Sequence, residues 1–326
     1  MSVDHKQTVI AALDTMRLGE LATGERFKAA AYKKAMDGIK RMDKPLTTIE
    51  DVKDVDGIGK KIHDKIVEIL ATGGLKAAER MKERSDVDAM DTLLAVHGIG
   101  PVKARALIAD GITDIESLRK AASEKPDLLT DAQTLGLKYY EAGIQRIPRA
   151  EMVAHEAGLL SLLPNGLTGT IVGSYRRGAA NSGDVDMLVT YDPATSEKDA
   201  QKLFKGLVSG LDRAYTTDKL AGGAKKWMGY VRVGESTPRR LDLLLTPPEE
   251  YAYAILYFTG SDKFNVAFRR HCLDKGYSLN EHTLSVKREG VPVPPPMTTE
   301  ADIFAFVGLK YILPTERVDG KQIIPV

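Results

Sequence analysis

The chain has 326 residues, 43% of them hydrophobic and 28% charged, enough apolar material for two or three cored domains. Its 46 Lys and Arg against 45 Asp and Glu leave a net charge of +1. That balance excludes a uniformly basic nucleic-acid coat but leaves room for local basic stripes.

The start, Met1-Ser2-Val3-Asp4-His5-Lys6, shows no basic segment followed by an apolar run, so no secretory signal is expected. No apolar run approaches the roughly 18 residues of a membrane helix. The single cysteine, Cys272, rules out an intramolecular disulfide and fits a reducing compartment. A small buried helix residue is its expected role. The expectation is a soluble intracellular protein: nuclear in a eukaryote, otherwise cytoplasmic or virus-associated.

Up to about residue 145 the chain reads as helical, with few β-branched runs and several helical-period segments. This half holds an internal repeat. Val55-Asp56-Gly57-Ile58-Gly59-Lys60-Lys61 recurs as Val96-His97-Gly98-Ile99-Gly100-Pro101-Val102. Each copy precedes an amphipathic helix, with Ile62, Ile66, Ile69 and Leu70 in one and Ala104, Leu107 and Ile108 in the other. This is a helix–hairpin–helix pattern. Its glycines permit a tight turn and a close approach of backbone N–H groups to a phosphate. The following helix offers its N-terminus to the anion, and Pro101 suits a first helical turn. Two matched copies favour sequence-independent binding of a DNA backbone over a simple helix-linking turn.

Lys61 and Lys65 stand four apart on the helix after the first hairpin and share a face, as do Lys28 and Tyr32 on an earlier helix. Crowded ammonium groups repel, and partial burial also disfavours charge, so one lysine could be held as the neutral amine that forms a Schiff base. The spacing alone equally fits a solvated basic face that only holds phosphates.

Arg146-Ile147-Pro148 breaks the helical half from a mixed one. Strand-like segments follow at 168–172, 186–190, 227–233 and 240–245, before Pro247-Pro248 punctuates the chain. Within them lie Gly173-Ser174-Tyr175-Arg176-Arg177-Gly178, Gly183-Asp184-Val185-Asp186 and Arg240-Leu241-Asp242. Side chains alternate along a strand, so Asp184 and Asp186 are expected on one face. With Asp242 as a third carboxylate they can hold two oxygen-loving ions such as Mg²⁺ about 3.5–4 Å apart. A bare D-x-D would also fit a solvated turn at a strand edge; the neighbouring glycines and arginines favour the metal reading. Further on, Tyr257-Phe258-Thr259-Gly260-Ser261-Asp262 interrupts a helical pattern. Asp262 is expected to cap the next helix, which runs to about Lys275 before Gly276. Asp262, Asn265 and Arg269 share its polar face, while Phe264, Ala267, Phe268 and Cys272 can pack. Tyr257 and Phe258 fit a core more readily than a ligand stack.

Taken together, the paired hairpins, Leu135-Gly136-Leu137-Lys138-Tyr139-Tyr140, Arg146-Ile147-Pro148-Arg149, the Gly-Ser-x-Arg-Arg-Gly segment, the three aspartates and Tyr-Phe-Thr-Gly-Ser-Asp resemble the family X DNA polymerases, the beta-type enzyme most closely. The resemblance covers roughly residues 20–318. It implies an α+β multidomain fold: a helical lyase domain with the first hairpin (1–83), a duplex-binding helical subdomain with the second (84–144), a nucleotidyltransferase palm with a mixed sheet (145–247) and a C-terminal α+β subdomain that binds the nascent base pair (248–326). It also implies roles. Asp184, Asp186 and Asp242 would ligate two Mg²⁺ ions, with Mn²⁺ as a substitute, and Asp242 would help deprotonate the primer 3′-hydroxyl. Ser174, Arg177, Ser182 and Gly183, with Arg146 nearby, would hold the incoming triphosphate. Tyr257, Phe258 and Gly260 would line its sugar. Asp262 would face the nascent base, Asn265 its minor-groove edge, and Arg269 the template strand. Lys65 would be the Schiff-base nucleophile, with Lys28, Tyr32, Lys53, Lys60 and Lys61 holding the 5′-phosphate. K⁺ or Na⁺ would bridge Gly57–Gly59 and Gly98–Gly100 to DNA.

Departures stand beside these matches. Phe27 replaces a histidine of the phosphate pocket, Leu244 an arginine that pairs with the second aspartate, His282 a tyrosine of the same network, and Val266 a lysine near the template base. The segment 214–231 is short where template-independent members carry a longer loop. The resemblance is to a minimal form, without added terminal domains. The function implied is a monomeric, template-directed, gap-filling DNA polymerase with deoxyribose-phosphate lyase activity in base excision repair. Its partners would be gapped or nicked double-stranded DNA, deoxynucleoside triphosphates and repair proteins such as a ligase. The alternatives are a polymerase without lyase activity, a template-independent terminal transferase and a catalytically silent DNA scaffold.

Overall fold

The computed structural model describes residues 3–42 and 44–326, so Met1 and Ser2 of the N-terminal stretch read above lie outside the described residues. The chain divides into two compact units, Met1–Tyr140 and Glu141–Val326. No helix of the described residues is long and apolar enough to cross a membrane.

The first unit is helical throughout, as expected. It runs α1 (Lys6–Ala22), α2 (Arg26–Arg41), α3 (Lys60–Thr72), α4 (Lys76–Lys82), α5 (Ser85–Leu94), α6 (Pro101–Ala109), α7 (Ile115–Glu124) and α8 (Asp131–Lys138), and α9 (Tyr140–Gly143) begins at its last residue and continues into the second unit. Two cores form. Val9, Leu13 and Met16 of α1 pack with Tyr32 and Ile39 of α2 and Ile62, Ile66 and Ile69 of α3. Leu18 and Leu21, one turn further along α1, pack instead with Met90, Leu93, Ala104 and Leu107. α1 therefore belongs to both cores.

The sequence repeat is a backbone repeat. Gly57 and Gly98 both take a left-handed conformation, at φ 92° and 85°. Gly59 and Gly100 are both extended, at ψ 172° and 174°, and each begins a helix with no side-chain cap. The turns close alike, Ile58 N–H donating to the Val55 carbonyl and Ile99 N–H to that of Val96. Gly136 sits so close to the His97 carbonyl that a Cβ there would overlap it, which is how α8 reaches the second hairpin.

The second unit is built on a five-stranded sheet. Its elements are β1 (Ile147–Pro148), α10 (Arg149–Ser161), β2 (Leu167–Ile171), α11 (Gly173–Arg176), β3 (Asn181–Ser182), β4 (Val185–Tyr191), α12 (Glu197–Ala214), β5 (Thr216–Gly222), β6 (Lys226–Val231), β7 (Arg239–Leu245), α13 (Pro248–Thr259), α14 (Asp262–Lys275), β8 (Tyr277–Leu279), β9 (Leu284–Val286) and α15 (Glu300–Phe306). The order is β2-β4-β7-β6-β5, with β4 and β7 parallel and the other pairs antiparallel. The sheet is mixed, as expected. β5 and the β8–β9 hairpin were not foreseen. The burial of β5 is irregular and its pairing with β6 shifts register twice, so no clean alternation marks it in the sequence.

Odd-numbered residues of the central strands, Val185, Met187, Leu241 and Leu243, face a core shared with Phe204, Leu207 and Leu211 of α12. The even face carries a smaller cluster in which Leu188 and Leu244 meet Ala254, Ile255 and Phe258 of α13. The C-terminal subdomain packs around Phe264, Phe268, Phe304 and Cys272. Burial pushes the Cys272 thiol up to about 12, in keeping with an inert core residue.

Candidate active site

The carboxylates rise from the even face. In the β4–β7 register Asp186 lies directly opposite Asp242 on adjacent parallel strands. Asp184 lies one residue before β4 begins, so the D-x-D straddles the strand's start rather than lying wholly within it. That position explains its greater exposure, 42% against 16% for Asp242.

Sequence reasoning passed over Arg240. One Nη2 lies 3.4 Å from both Asp184 Oδ2 and Asp242 Oδ2, tying two of the three acids together. The signal was available: positions 240 and 242 on one strand share a face. Arg239, facing the other way, is buried and donates through Nε and Nη2 to the Glu151 carboxylate at 2.7 and 3.0 Å. That pair moors the start of β7 to α10.

Burial first, and then Asp184 and Asp242, push the Asp186 carboxyl up to about 7, against the pull of Arg240. Burial likewise raises Asp242, with Arg240 opposing. Asp242 Oδ1 is buried without a hydrogen-bond partner. Among the described residues no three ligating side chains are drawn close enough to enclose an ion as they stand. Their chemistry nevertheless fits one: crowded carboxylates, one with an orphaned oxygen, form a hard, anionic donor set suited to a divalent cation.

Beside the acids, Ser174 of α11 donates its Oγ hydrogen to Ser182 Oγ at 3.0 Å, joining the two serines expected at the triphosphate. β1 pairs with β3, which brings Arg146 to Asn181. There Arg146 Nε donates to Asn181 Oδ1 at 2.9 Å and Nη2 to its carbonyl at 3.3 Å. A Cβ on Gly183 would lie 3.0 Å from Arg146 Nη1, so the guanidinium passes directly over the glycine. Arg177 Nη1 donates to the Thr259 carbonyl at 2.6 Å and lies 3.2 Å from where a Cβ on Gly260 would sit. Desolvation lowers the Arg177 pKa, with Asp262 opposing.

Tyr257, Asn265 and Arg269 line one small crevice with Asn280. Within it the Asn265 amide donates to the Tyr257 carbonyl at 2.7 Å. Phe258 packs edge-on to Tyr257, centroids 5.2 Å apart, and joins the core beneath. Ser261, not Asp262, caps α14: its Oγ accepts from the Phe264 N–H and donates to the Val318 carbonyl. Asp262 is the first helical residue, and α14 ends at Lys275 with Gly276 left-handed, as expected.

A second cluster was not anticipated. Arg176 holds both Glu300 oxygens, at 3.1 and 2.8 Å, and donates to Thr259 Oγ1. Arg317, fully buried, grips Glu300 from the other side and lies over Phe264, Phe304 and Tyr311. It carries no sequence signal, because its members are 124 and 17 residues apart.

In the first unit Lys65 is half-buried on α3, with Lys53, Lys60 and Lys61 exposed. Lys28 faces carboxylates, Glu25 at 3.4 Å and Glu20 at 3.8 Å. Tyr32 is buried in the α1–α3 core, and burial followed by Glu20 raises its hydroxyl pKa. Phe27 is 94% exposed.

Models of known families match along most of the chain in one order: a helix-hairpin-helix domain over 4–75, the fingers domain of DNA polymerase lambda over 91–142, the DNA polymerase beta palm over 146–248 and the DNA polymerase beta thumb over 254–318. DNA polymerase lambda of Rattus norvegicus is 32% identical over 313 residues, 90% of this chain and 53% of its own. The enzyme of that name from Arabidopsis thaliana is 30% identical over 316 residues, 91% of this chain and 59% of its own. DNA nucleotidylexotransferase of Gallus gallus is 26% identical over 322 residues, 88% of this chain and 62% of its own. The chain thus spans 53–62% of the length of these relatives. With the palm, thumb, fingers and hairpin segments in this succession, and Asp186 set beside Asp242 on adjacent parallel strands, the chain belongs to the family X DNA polymerases.

Proposed function

We propose that this protein is a template-directed DNA polymerase that fills short gaps in base excision repair and also removes 5′-deoxyribose phosphate. The observation that carries the polymerase reading is the register of Asp186 against Asp242 with Asp184 alongside, on a palm of this family. The division into segments 1–83, 84–144, 145–247 and 248–326 is part of the proposal, as are the residue roles.

Asp184, Asp186 and Asp242 would hold divalent ions, Mg²⁺ or Mn²⁺, whose charge activates the 3′-hydroxyl and stabilises the departing pyrophosphate. Asp242 takes the proton of that hydroxyl, and its unpartnered Oδ1 supports this role. Holding those ions would require Arg240 to give up its contacts with Asp184 and Asp242. Ser174, Ser182, Gly183, Arg146 and Arg177 hold the triphosphate; here positioning and fixed charge supply most of the rate. Tyr257, Phe258 and Gly260 bound the sugar, and Asp262, Asn265 and Arg269 meet the base pair and template.

At the other site the Lys65 amine adds to the C1′ aldehyde and water leaves, giving an imine. Loss of a C2′ proton to water then breaks the C3′–O bond and releases the DNA strand with its 5′-phosphate, and hydrolysis of the remaining imine frees the sugar phosphate and Lys65. Lys53, Lys60 and Lys61 bind the 5′-phosphate beside it. Both hairpins hold duplex backbone at their uncapped helix starts, where Gly57–Gly59 and Gly98–Gly100 would hold K⁺ or Na⁺ to offset phosphate charge. Gapped DNA, deoxynucleoside triphosphates and a repair ligase are the partners.

Terminal transfer without a template is the competing reading, supported by the relative from Gallus gallus. The β5–β6 connection of only Gly223, Ala224 and Lys225 favours template dependence. The deciding experiment compares a one-nucleotide gap bearing a 5′-phosphate with an open template-primer and with a single-stranded primer. Preferential extension of the gap and none of the single strand is expected; efficient extension of the single strand would overturn the reading.

A further inference from the structure

On the sheet face opposite the carboxylates, α12 and the β5–β6 hairpin enclose a groove of about 620 Å³. The register fixes its side. Met228 pairs with Asp242 and shares its face, whereas Trp227 pairs with Leu243 and Lys219 with Gly229, on the opposite face.

Five lysines and a single aspartate, Asp212, line the groove. Lys198, Lys202 and Lys205 recur at helical spacing along the exposed edge of α12. Lys219 meets them from β5. Lys202 is paired with Asp199 at 2.9 Å, while Lys198, Lys205 and Lys219 carry no ion pair among the described residues. In a chain whose net charge is only +1, this is a strong local imbalance. The floor is different in kind: half-buried Val208 and exposed Ala224 lie over the all but closed Phe204 and Trp227, and the groove opens at Gly223, around which a side chain would meet nothing.

We propose that this groove docks an acidic protein segment that inserts an apolar side chain. Carboxylates of the partner meet the lysine rim, and the anchor fills the apolar floor. A nucleic acid strand fits less well. Its bases seek exposed aromatic faces, and the two rings here, Phe204 and Trp227, are each 1% exposed. The compact floor takes a side chain, not a run of phosphates.

The test uses the full chain and two short fluorescein-labelled peptides of alternating aspartate and glutamate, one with a central leucine pair and one without, read by fluorescence anisotropy at low salt. The leucine peptide should bind the wild type at least about tenfold more tightly than a K198E/K202E/K205E variant. It should also bind more tightly than the peptide lacking leucine. The triple variant should fill gaps like the wild type, which verifies its fold. Equal binding to wild type and variant, or equal binding of the two peptides, overturns the proposal. So does an unlabelled oligothymidylate of matched charge that displaces the peptide from the wild type at equal concentration.

Discussion

A guanidinium set between two carboxylates, with a third carboxylate facing one of them, is a poised arrangement. Three acids on one patch repel, and burial compounds the cost, so Asp186 is displaced to about 7 while Arg240 offsets part of the charge on its neighbours. Replacing Asp242 with Ala should remove the group that takes the primer's proton. Nucleotide addition should fall by at least about a thousandfold, while gapped-duplex affinity, measured by anisotropy, stays within about twofold. Wild-type-like extension by D242A would contradict the assignment. At Lys65, borohydride should trap a covalent adduct with a 5′-deoxyribose-phosphate duplex, and K65A should lose it with polymerisation retained. An undiminished adduct would move the nucleophile to another lysine. The three acids were readable from their spacing together with the glycines and arginines beside them; Arg240, on the same strand face as Asp242, was open to the same reading but went unread. The state of Lys28 and Tyr32 was not legible, since an ion pair with Glu20 and burial against α3 depend on how helices pack.

Hairpins and caps act at the level of the element. Gly98 holds φ 85° with the Gln133 side chain 3.2 Å from where a Cβ would sit. G98V should therefore strain the second hairpin by about 1–3 kcal/mol. The expected outcome is a lower urea midpoint and a several-fold weaker Kd for gapped duplex; an unchanged Kd would separate this hairpin from DNA binding. The repeat could be read because a left-handed glycine followed by an extended one is a backbone demand that only certain residues meet. The α14 cap could not be assigned as reliably. Ser261 and Asp262 are both competent caps, and the choice fell to Ser261, whose hydroxyl also reaches the Val318 carbonyl 57 residues away.

Across the second unit, Arg176, Glu300 and Arg317 join the segment after β2 to the C-terminal subdomain through a cluster in which Glu300 and Arg317 are buried and Arg176 is partly exposed. Burial opposes ionisation of Glu300, yet the two guanidinium groups outweigh it and its pKa is lowered. A carboxyl whose folded pKa lies below its unfolded value stabilises above that unfolded value, and the benefit is lost as pH falls through the folded pKa. E300Q should cost about 3–5 kcal/mol near neutrality, because Arg317 is left buried without the carboxylate that Glu300 supplies. The gap in Tm between wild type and E300Q should narrow as pH drops below about 4. A gap that is constant from neutral to acid pH would show that the charge of Glu300 does not carry the stabilisation.

What the amino-acid order determined by itself was local: helical periodicity to about residue 145, the repeated glycine turns, four of the five strands of the central sheet, and the acids spaced to share a face. Each of these follows from backbone geometry within a few residues. Only the tertiary structure decided that β4 and β7 lie parallel and adjacent, setting Asp186 against Asp242, and that Arg240 lies between two carboxylates. It also decided which strand faces meet α12 and α13, and that Glu300 is shared by arginines from distant segments. Such pairings are set by packing across long sequence separations, where many partners satisfy the same local pattern and burial selects one.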